Sequence, residues 1–399
     1  MSIEYALVNK RVLALLRQKT QVSFEYLEKT TGKSRDILLE WEDIDNSKRP
    51  TINQAKILAK GYHVPFACLY MRPEDVGICS IPNLKNLRTM KNAIQQDDSL
   101  LNLSIVDIIE ARRFLIETKE DLEESIPVFS LKINGDSVSQ WADKIRKYFS
   151  LDLSKQYKSM STRQFFIYLK RAIEDKGIFI HGLSGVPLES ARGIAIYNEI
   201  LPIIGINNED HYPAKAFSII HELVHIIKRA SVMCNDMYSS FSVLKEEIFC
   251  NAVAGEVLVP EVALKIVMEN YSHISLSVDV IEKVARHFSV SKEVIIRRLL
   301  DVSPPYIDKV KYLAFAEEFA QMYEHNKELA KQARKEGRAS NIFISPNRDA
   351  IDKNSTSLSK CFLHGFGEGL FDKQDISRYL GLSPRHVDKY LWEVSTWDK

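Results

Sequence analysis

Cysteine is scarce and unpatterned in this chain of 399 residues: the five stand at positions 68, 79, 234, 250 and 361, odd in number and without a C-x-x-C pair. That excludes a scaffold built on disulfides and fits a reducing compartment, so a cytoplasmic location is expected. An excess of one charge is lacking too. Lys plus Arg number 54 against 53 Asp plus Glu, and a balance this close gives no whole-molecule field that would draw in nucleic acid, a membrane surface or acidic partners. Long apolar runs are missing. The stretch 201–206 is among the longest, far short of the roughly 20 residues that cross a bilayer as a helix. Residues 1–19 alternate charges with Leu and Val and offer neither the apolar stretch nor the small-residue cleavage site of a signal peptide. No export and no membrane partner are expected.

What is present is the composition of a globular protein, 45% hydrophobic and 27% charged, in a chain long enough for two or three domains. Residues 1–71 read as short helices, striped by Val12, Leu13, Leu15 and Leu16, then Phe24 and Leu27, then Ile37, Leu38 and Trp41, then Ile57 and Leu58. Gly32 between the second and third, with Ser34 as N-cap of the third, is the grammar of a helix-turn-helix. Together with Trp41-Glu42, Pro50-Thr51 and Val64-Pro65, the segment resembles the XRE (phage repressor-like) helix-turn-helix family. The resemblance implies a DNA-facing third helix, where Arg35 is the candidate contact. That helix and its exit are otherwise acidic, with Asp36, Glu40, Glu42, Asp43 and Asp45, and Phe24 stands where the family usually has Gln. DNA, a protein partner and self-pairing into a homodimer therefore all stay open for this module.

Residues 72–100, with Pro73, Pro82 and the polar run 95–99, read as an irregular linker. From 101 to 176 the apolar spacing is helical. Gly177–Ile180, Gly193–Tyr197 and Ile200–Ile206 switch to short β-branched runs, the pattern of strands. Beyond 270 the chain is helical again, with a long charged helix over 307–338, a loop over 341–357, a Gly-rich turn at 364–369, and helix-turn-helix-like layouts at 280–300 and 375–392. The expected fold is mainly α with a small β-sheet (α+β). It divides into an N-terminal helix-turn-helix bundle (1–71), a linker (72–100), a metallopeptidase domain (101–300, motif core 165–300) and a helical C-terminal region (301–399).

The chemistry is carried by Phe217-Ser-Ile-Ile-His221-Glu222-Leu-Val-His225, in a stretch free of Gly and Pro. On a helix, residues four apart share a face, so both imidazoles reach one cation while Glu222 points into the same cleft. This is the H-E-x-x-H zincin arrangement, with Glu222 as catalytic base and His221 and His225 as ligands of Zn2+. A catalytic zinc needs a third protein ligand. No histidine occurs between 226 and 270, which removes the metzincin completion, and the next helix offers Glu246, Glu247 and Glu256. Glu247 shares a helical face with Asn251, Ala254 and Leu258, an apolar row in which a bare carboxylate needs a partner.

The run Phe217–His225, then Glu246-Glu-Ile-Phe-Cys-Asn251-Ala-Val-Ala254, then Glu256-Val-Leu-Val-Pro260 is similar to the ImmA/IrrE metallopeptidase family. The family's E-x-x-A-N element falls on Glu247-Ile-Phe-Cys250-Asn251, which favours Glu247 over Glu246 as third ligand and makes Asn251 a supporting residue. Val224 stands where the family commonly has Gly. The pair Arg88-Thr89 is similar to fused members. The resemblance implies zinc-dependent cleavage of a helix-turn-helix transcriptional repressor in stress, mobile-element or defence control. The alternative is a DNA-binding regulator whose zinc-site domain senses a ligand without turnover. Tyr238, His211 and Arg192 are open candidates for the oxyanion donor. Edge addition of an extended substrate to the strands that end near Ile206 is a further expectation.

Overall fold

A computed structural model describes residues 4–87, 97–135, 137–157, 161–234, 245–336 and 345–397. Four helices open the chain: α1 (Lys10–Thr20), α2 (Phe24–Thr31), α3 (Arg35–Glu42) and α4 (Ile52–Gly61). Their starts are fixed by local chemistry. Asn9, Ser23 and Thr51 each accept a backbone N–H of the first turn, and Thr51 completes a reciprocal capping box with Gln54. Gly32 ends α2 at φ +65°, a left-handed conformation that costs glycine little, and so turns the chain into α3. Val12, Leu16, Leu27, Trp41, Leu58 and Tyr62 form a core of their own, to which α5 (Ser99–Asp121) adds Leu103.

One five-stranded sheet positions everything that follows. In chain order its strands are β1 (Lys85–Asn86), β2 (Phe179–Leu183), β3 (Gly193–Ile196), β4 (Ile203–Asn207) and β5 (Val232–Cys234). Across the sheet the order is β1-β5-β3-β4-β2, with β1 parallel to β5, β2 parallel to β4, and β3 antiparallel to both neighbours. The strands β2, β3 and β4 lie within three residues of the β-branched runs that mark them in the sequence. Two strands add to that reading. Residues 85–86, inside the stretch expected to be irregular linker, form an edge strand, and Val232–Cys234 joins it to β3.

For edge addition of a substrate, β4 is taken, since it is hydrogen-bonded to β3 on one side and β2 on the other; of the strands that end near Ile206, β2 lies at the edge of the sheet.

Helices cover both faces. On one face α9 (Tyr212–Ile227) packs with α8 (Thr162–Glu174) and α10 (Lys245–Leu258); α6 (Val138–Tyr148) and α7 (Leu153–Tyr157) precede them in the chain, and α11 (Glu261–Glu269), α12 (Val278–Phe288), α13 (Lys292–Asp301) and α14 (Lys309–Lys335) follow. Ala195, Val232 and Cys234 point into this core, which extends to Tyr312 and Phe319 of α14. On the other face Ile194, Ile196 and Phe179 meet α5 and the C-terminal helices α15 (Pro346–Lys353), α16 (Thr356–Gly367), α17 (Lys373–Leu380) and α18 (Pro384–Ser395). The strand alternation thus sorts side chains between two cores.

Two local expectations are corrected here. Within 341–357, Ser345 caps and Pro346 opens helix α15, and residues 364–367, read as part of a Gly-rich turn, are the last turn of α16. Helix α16 ends against Phe371, whose ring folds back over Gly365. Arg88-Thr89 and Tyr238 lie outside the described residues. Among the described residues no helix is long and apolar enough to cross a membrane.

Candidate metal centre

Helix α9 is buried over its whole length from Ala214 onward, as a helix that is apolar on most faces must be. It therefore carries His221, Glu222 and His225 into the interior at 0% exposure. The spacing of four residues places the two imidazoles on one face, with the Nε2 atoms 3.3 Å apart. Helix α10 crosses α9 and brings Glu247, in its first turn, between them: Oε2 lies 3.3 Å from His221 Nε2 and Oε1 3.2 Å from His225 Nε2. Glu246, one residue earlier, faces outward and pairs with Lys85 of β1 at 2.7 Å. Of the sequence's three carboxylate candidates, Glu247 is thus the one that stands between the imidazoles.

These distances fit a metal ion. Ligands bonded at about 2.0–2.1 Å to a tetrahedral centre stand about 3.3–3.4 Å from one another, and the contacts among His221, His225 and Glu247, at 3.2–3.3 Å with one carboxylate oxygen toward each imidazole, are close to that length. Glu222 and Glu247 are two carboxylates in a dry interior whose neighbours include the imidazoles and the Cys234 thiol. Two negative charges there are costly unless a cation compensates them. The tautomer agrees. His221 Nδ1 lies 2.9 Å from Asn251 Oδ1, an acceptor, so Nδ1 carries the proton and Nε2 keeps a free lone pair for the cation.

A residue that the motif does not contain completes the cluster. Cys234, the last residue of β5, is buried, and its sulfur lies 3.9 Å from His225 Nε2. Its ligand atom and those of His221, His225 and Glu247 all fall within 4.8 Å of one another. In the β3–β5 ladder Cys234 stands opposite Gly193, and the Arg192 N–H donates to the Cys234 carbonyl at 2.9 Å. At Gly193 the sheet lies close to Glu222. A Cβ there would approach Glu222 Oε1 to 2.5 Å, so a side chain at this position would force the carboxylate to move. The one sequence signal for Cys234 was a cysteine in the short run Val-Met-Cys soon after the motif, too brief to read as a strand.

The surroundings tune each group. Burial pushes the Glu222 carboxyl up to about 8, against the pull of His221. Burial would also raise Glu247, but its contacts with His221 and His225 outweigh this and hold it well below the usual carboxylate range. Burial opposes charge on both imidazoles: it lowers His225, while at His221 the contact with Glu247 prevails and raises it. The thiols of Cys234 and Cys250 are driven well up by burial.

The other candidates lie elsewhere. His211 and Arg192 both engage Asp210, at 2.9 and 2.7 Å, by the N-terminal end of α9. Arg35 is the exposed first residue of α3, its guanidinium 5.0 Å from the centre of the Phe24 ring. Neither Arg35 nor any other group of residues 4–71 enters the metal cluster.

No curated protein and no solved structure matches the chain. Residues 183–300, which hold His221, Glu222, His225, Cys234, Glu247 and Asn251, match the Peptidase_M78 family model, the IrrE N-terminal-like domain, and this stretch is thereby similar to metallopeptidases of the IrrE/ImmA type.

Proposed function

We propose that the protein is a zinc-dependent endopeptidase that cleaves a helix-turn-helix transcriptional repressor in a stress, mobile-element or defence response. The observation that carries this reading is Glu222: a fully buried carboxylate beside the triangle of His221, His225 and Glu247. A merely structural metal would need no such neighbour. Imidazole, carboxylate and sulfur in a tetrahedral frame suit zinc among the common divalent ions. When bound, zinc supplies Lewis acidity and lowers the pKa of water.

The protein's own residues do the rest. Glu222 accepts a proton from the attacking water and delivers it to the leaving amine. Asn251 holds the His221 ring in one tautomer. Residues 1–71, read as an XRE-type module, would recognise the repressor by pairing like with like.

A second reading has one observation in its favour. Cys234 stands where a fourth protein ligand would be, and a site with four protein ligands suits a regulator that binds DNA through residues 1–71 and senses without turnover. One experiment separates the two: zinc content of wild type, Glu222→Gln and Glu247→Ala, each incubated with repressors encoded by neighbouring genes. Cleavage abolished by Glu222→Gln with zinc retained, and zinc lost in Glu247→Ala, supports the peptidase. Zinc without cleavage by any form, together with sequence-specific DNA binding, supports the sensor.

A further inference from the structure

We infer that the Cys234 thiolate is a fourth protein ligand of the same metal and acts as a latch, so that this arrangement is the latent form of the peptidase; the inference rests on the peptidase reading above. For a metal–sulfur bond of about 2.3 Å and a metal–nitrogen bond of about 2.0–2.1 Å, tetrahedral sulfur and nitrogen stand about 3.6 Å apart. The sulfur of Cys234 lies 3.9 Å from His225 Nε2 and within 4.8 Å of the other ligand atoms, on the scale of that spacing. A sulfur bonded to the metal would take the position that a catalytic site leaves to water.

Strand register holds the sulfur there. Val232 and Cys234 alternate with Met233, and the former two face α9 while Met233 packs on the opposite core. Gly193 pairs with Cys234 across the ladder and gives Glu222 its space. The other buried cysteine near the centre makes a contrast. Cys250 approaches His225 from the Nδ1 side, at 3.9 Å, facing the wrong nitrogen to share a metal with Nε2.

The proton count gives the latch its effect. On ligation the Sγ–H bond would break, its proton would leave to solvent and the sulfur lone pair would be shared with the metal. Opening reverses this: the sulfur regains a proton from solvent and water takes its place. Latching thus withdraws the water position. No oxidant or reductant is involved.

The test uses the full chain loaded with Co2+ in place of Zn2+. Wild type and Cys250→Ser should show the near-ultraviolet thiolate-to-cobalt charge-transfer band, and Cys234→Ser and Cys234→Ala should lack it while still binding one metal. With zinc and a repressor substrate, the Cys234 variants should cleave faster than wild type. If the open form makes up about 0.1–10% of the wild type, the gain is roughly ten- to a thousandfold. A band missing from wild type, or one that survives both Cys234 substitutions, would overturn the ligand. A band lost with no gain in cleavage, where wild type itself cleaves in a Glu222-dependent way, would overturn the latch. A band lost with no cleavage by any form would instead remove the peptidase reading beneath it, while leaving the sulfur as a ligand.

Discussion

Two clusters of ionisable side chains are buried in this molecule, and they are built on different principles. At the first, around α9, Glu222 and Glu247 are met by imidazole and thiol groups, Glu247 at 3.2 Å and 3.3 Å from the two Nε2 atoms. At the second, where α8 meets the start of the C-terminal helices, the charges meet hydroxyls, backbone groups and opposite charges. Lys170 donates to the carbonyls of Asp352, at 3.3 Å, and Asn354. Glu174 accepts from the hydroxyls of Ser355 and Thr356, from the Thr356 N–H at 2.9 Å and from the Ile180 N–H at 3.2 Å. Asp352 takes the Tyr212 hydroxyl at 2.6 Å and the Arg163 guanidinium. Burial is costly for both clusters. The second recovers that cost through hydrogen bonds that clamp residues 352–356 to α8, whereas the first is built from side chains that can also hold a cation.

Four substitutions break or sharpen that contrast. The largest effect is expected at Glu222: Glu222→Gln should lower repressor cleavage by about 10²–10⁴-fold with zinc content and unfolding midpoint close to wild type, as measured by metal analysis and denaturant titration. Glu174→Ala should do the reverse, destabilising the fold by about 3–5 kcal/mol because Lys170 is left buried without its counter-charge, while zinc bound per folded molecule stays constant. Denaturant unfolding at fixed metal concentration checks this, and a loss under about 1 kcal/mol would show that the second cluster is not a clamp.

Asn251→Ala sits between these. Loss of the acceptor on His221 Nδ1 frees the ring to take the other tautomer, and a roughly 10–100-fold weaker zinc affinity follows, read by chelator competition. The smallest effect belongs to an exposed pair that joins the N-terminal module to α5. His63 Nδ1 lies 2.7 Å from Asp107 Oδ2, and that hydrogen bond raises the imidazole above its ordinary value, although burial works against it. A histidine raised in the folded state contributes its full stability below the unfolded value, about 6.5, and loses it as pH rises through the folded value. Because both groups are partly exposed, His63→Gln should cost no more than a few tenths of a kcal/mol at pH 6 and nothing at pH 9.

The sequence made one half of the first cluster plain and hid the other. His221, Glu222 and His225 announce themselves because a helix turns fixed spacing into shared direction. Glu247 and Asn251 follow from the same rule on the next helix. Cys234 obeys no such rule. It reaches the centre through the register of a three-residue strand, and strand register depends on partners distant in the chain. The edge strand β1 was hidden for the same reason, since two residues with exposed side chains carry no periodicity. The second cluster was illegible throughout: Lys170 and Glu174 look like the polar face of α8 until residues 352–356 are laid on them. Helix α15 was missed although Ser345-Pro346 is a start signal, because the polar residues beside it read as loop.

Gly193 has a consequence for how the gene tolerates change. A single methyl group there would press on the Glu222 carboxylate, so an amino-acid replacement at this codon is a change beside the reacting centre. In a scan of all positions for cleavage, residue 193 should therefore lose activity even where the fold is kept, whereas its neighbour Ile194, buried in the opposite core, should respond through stability.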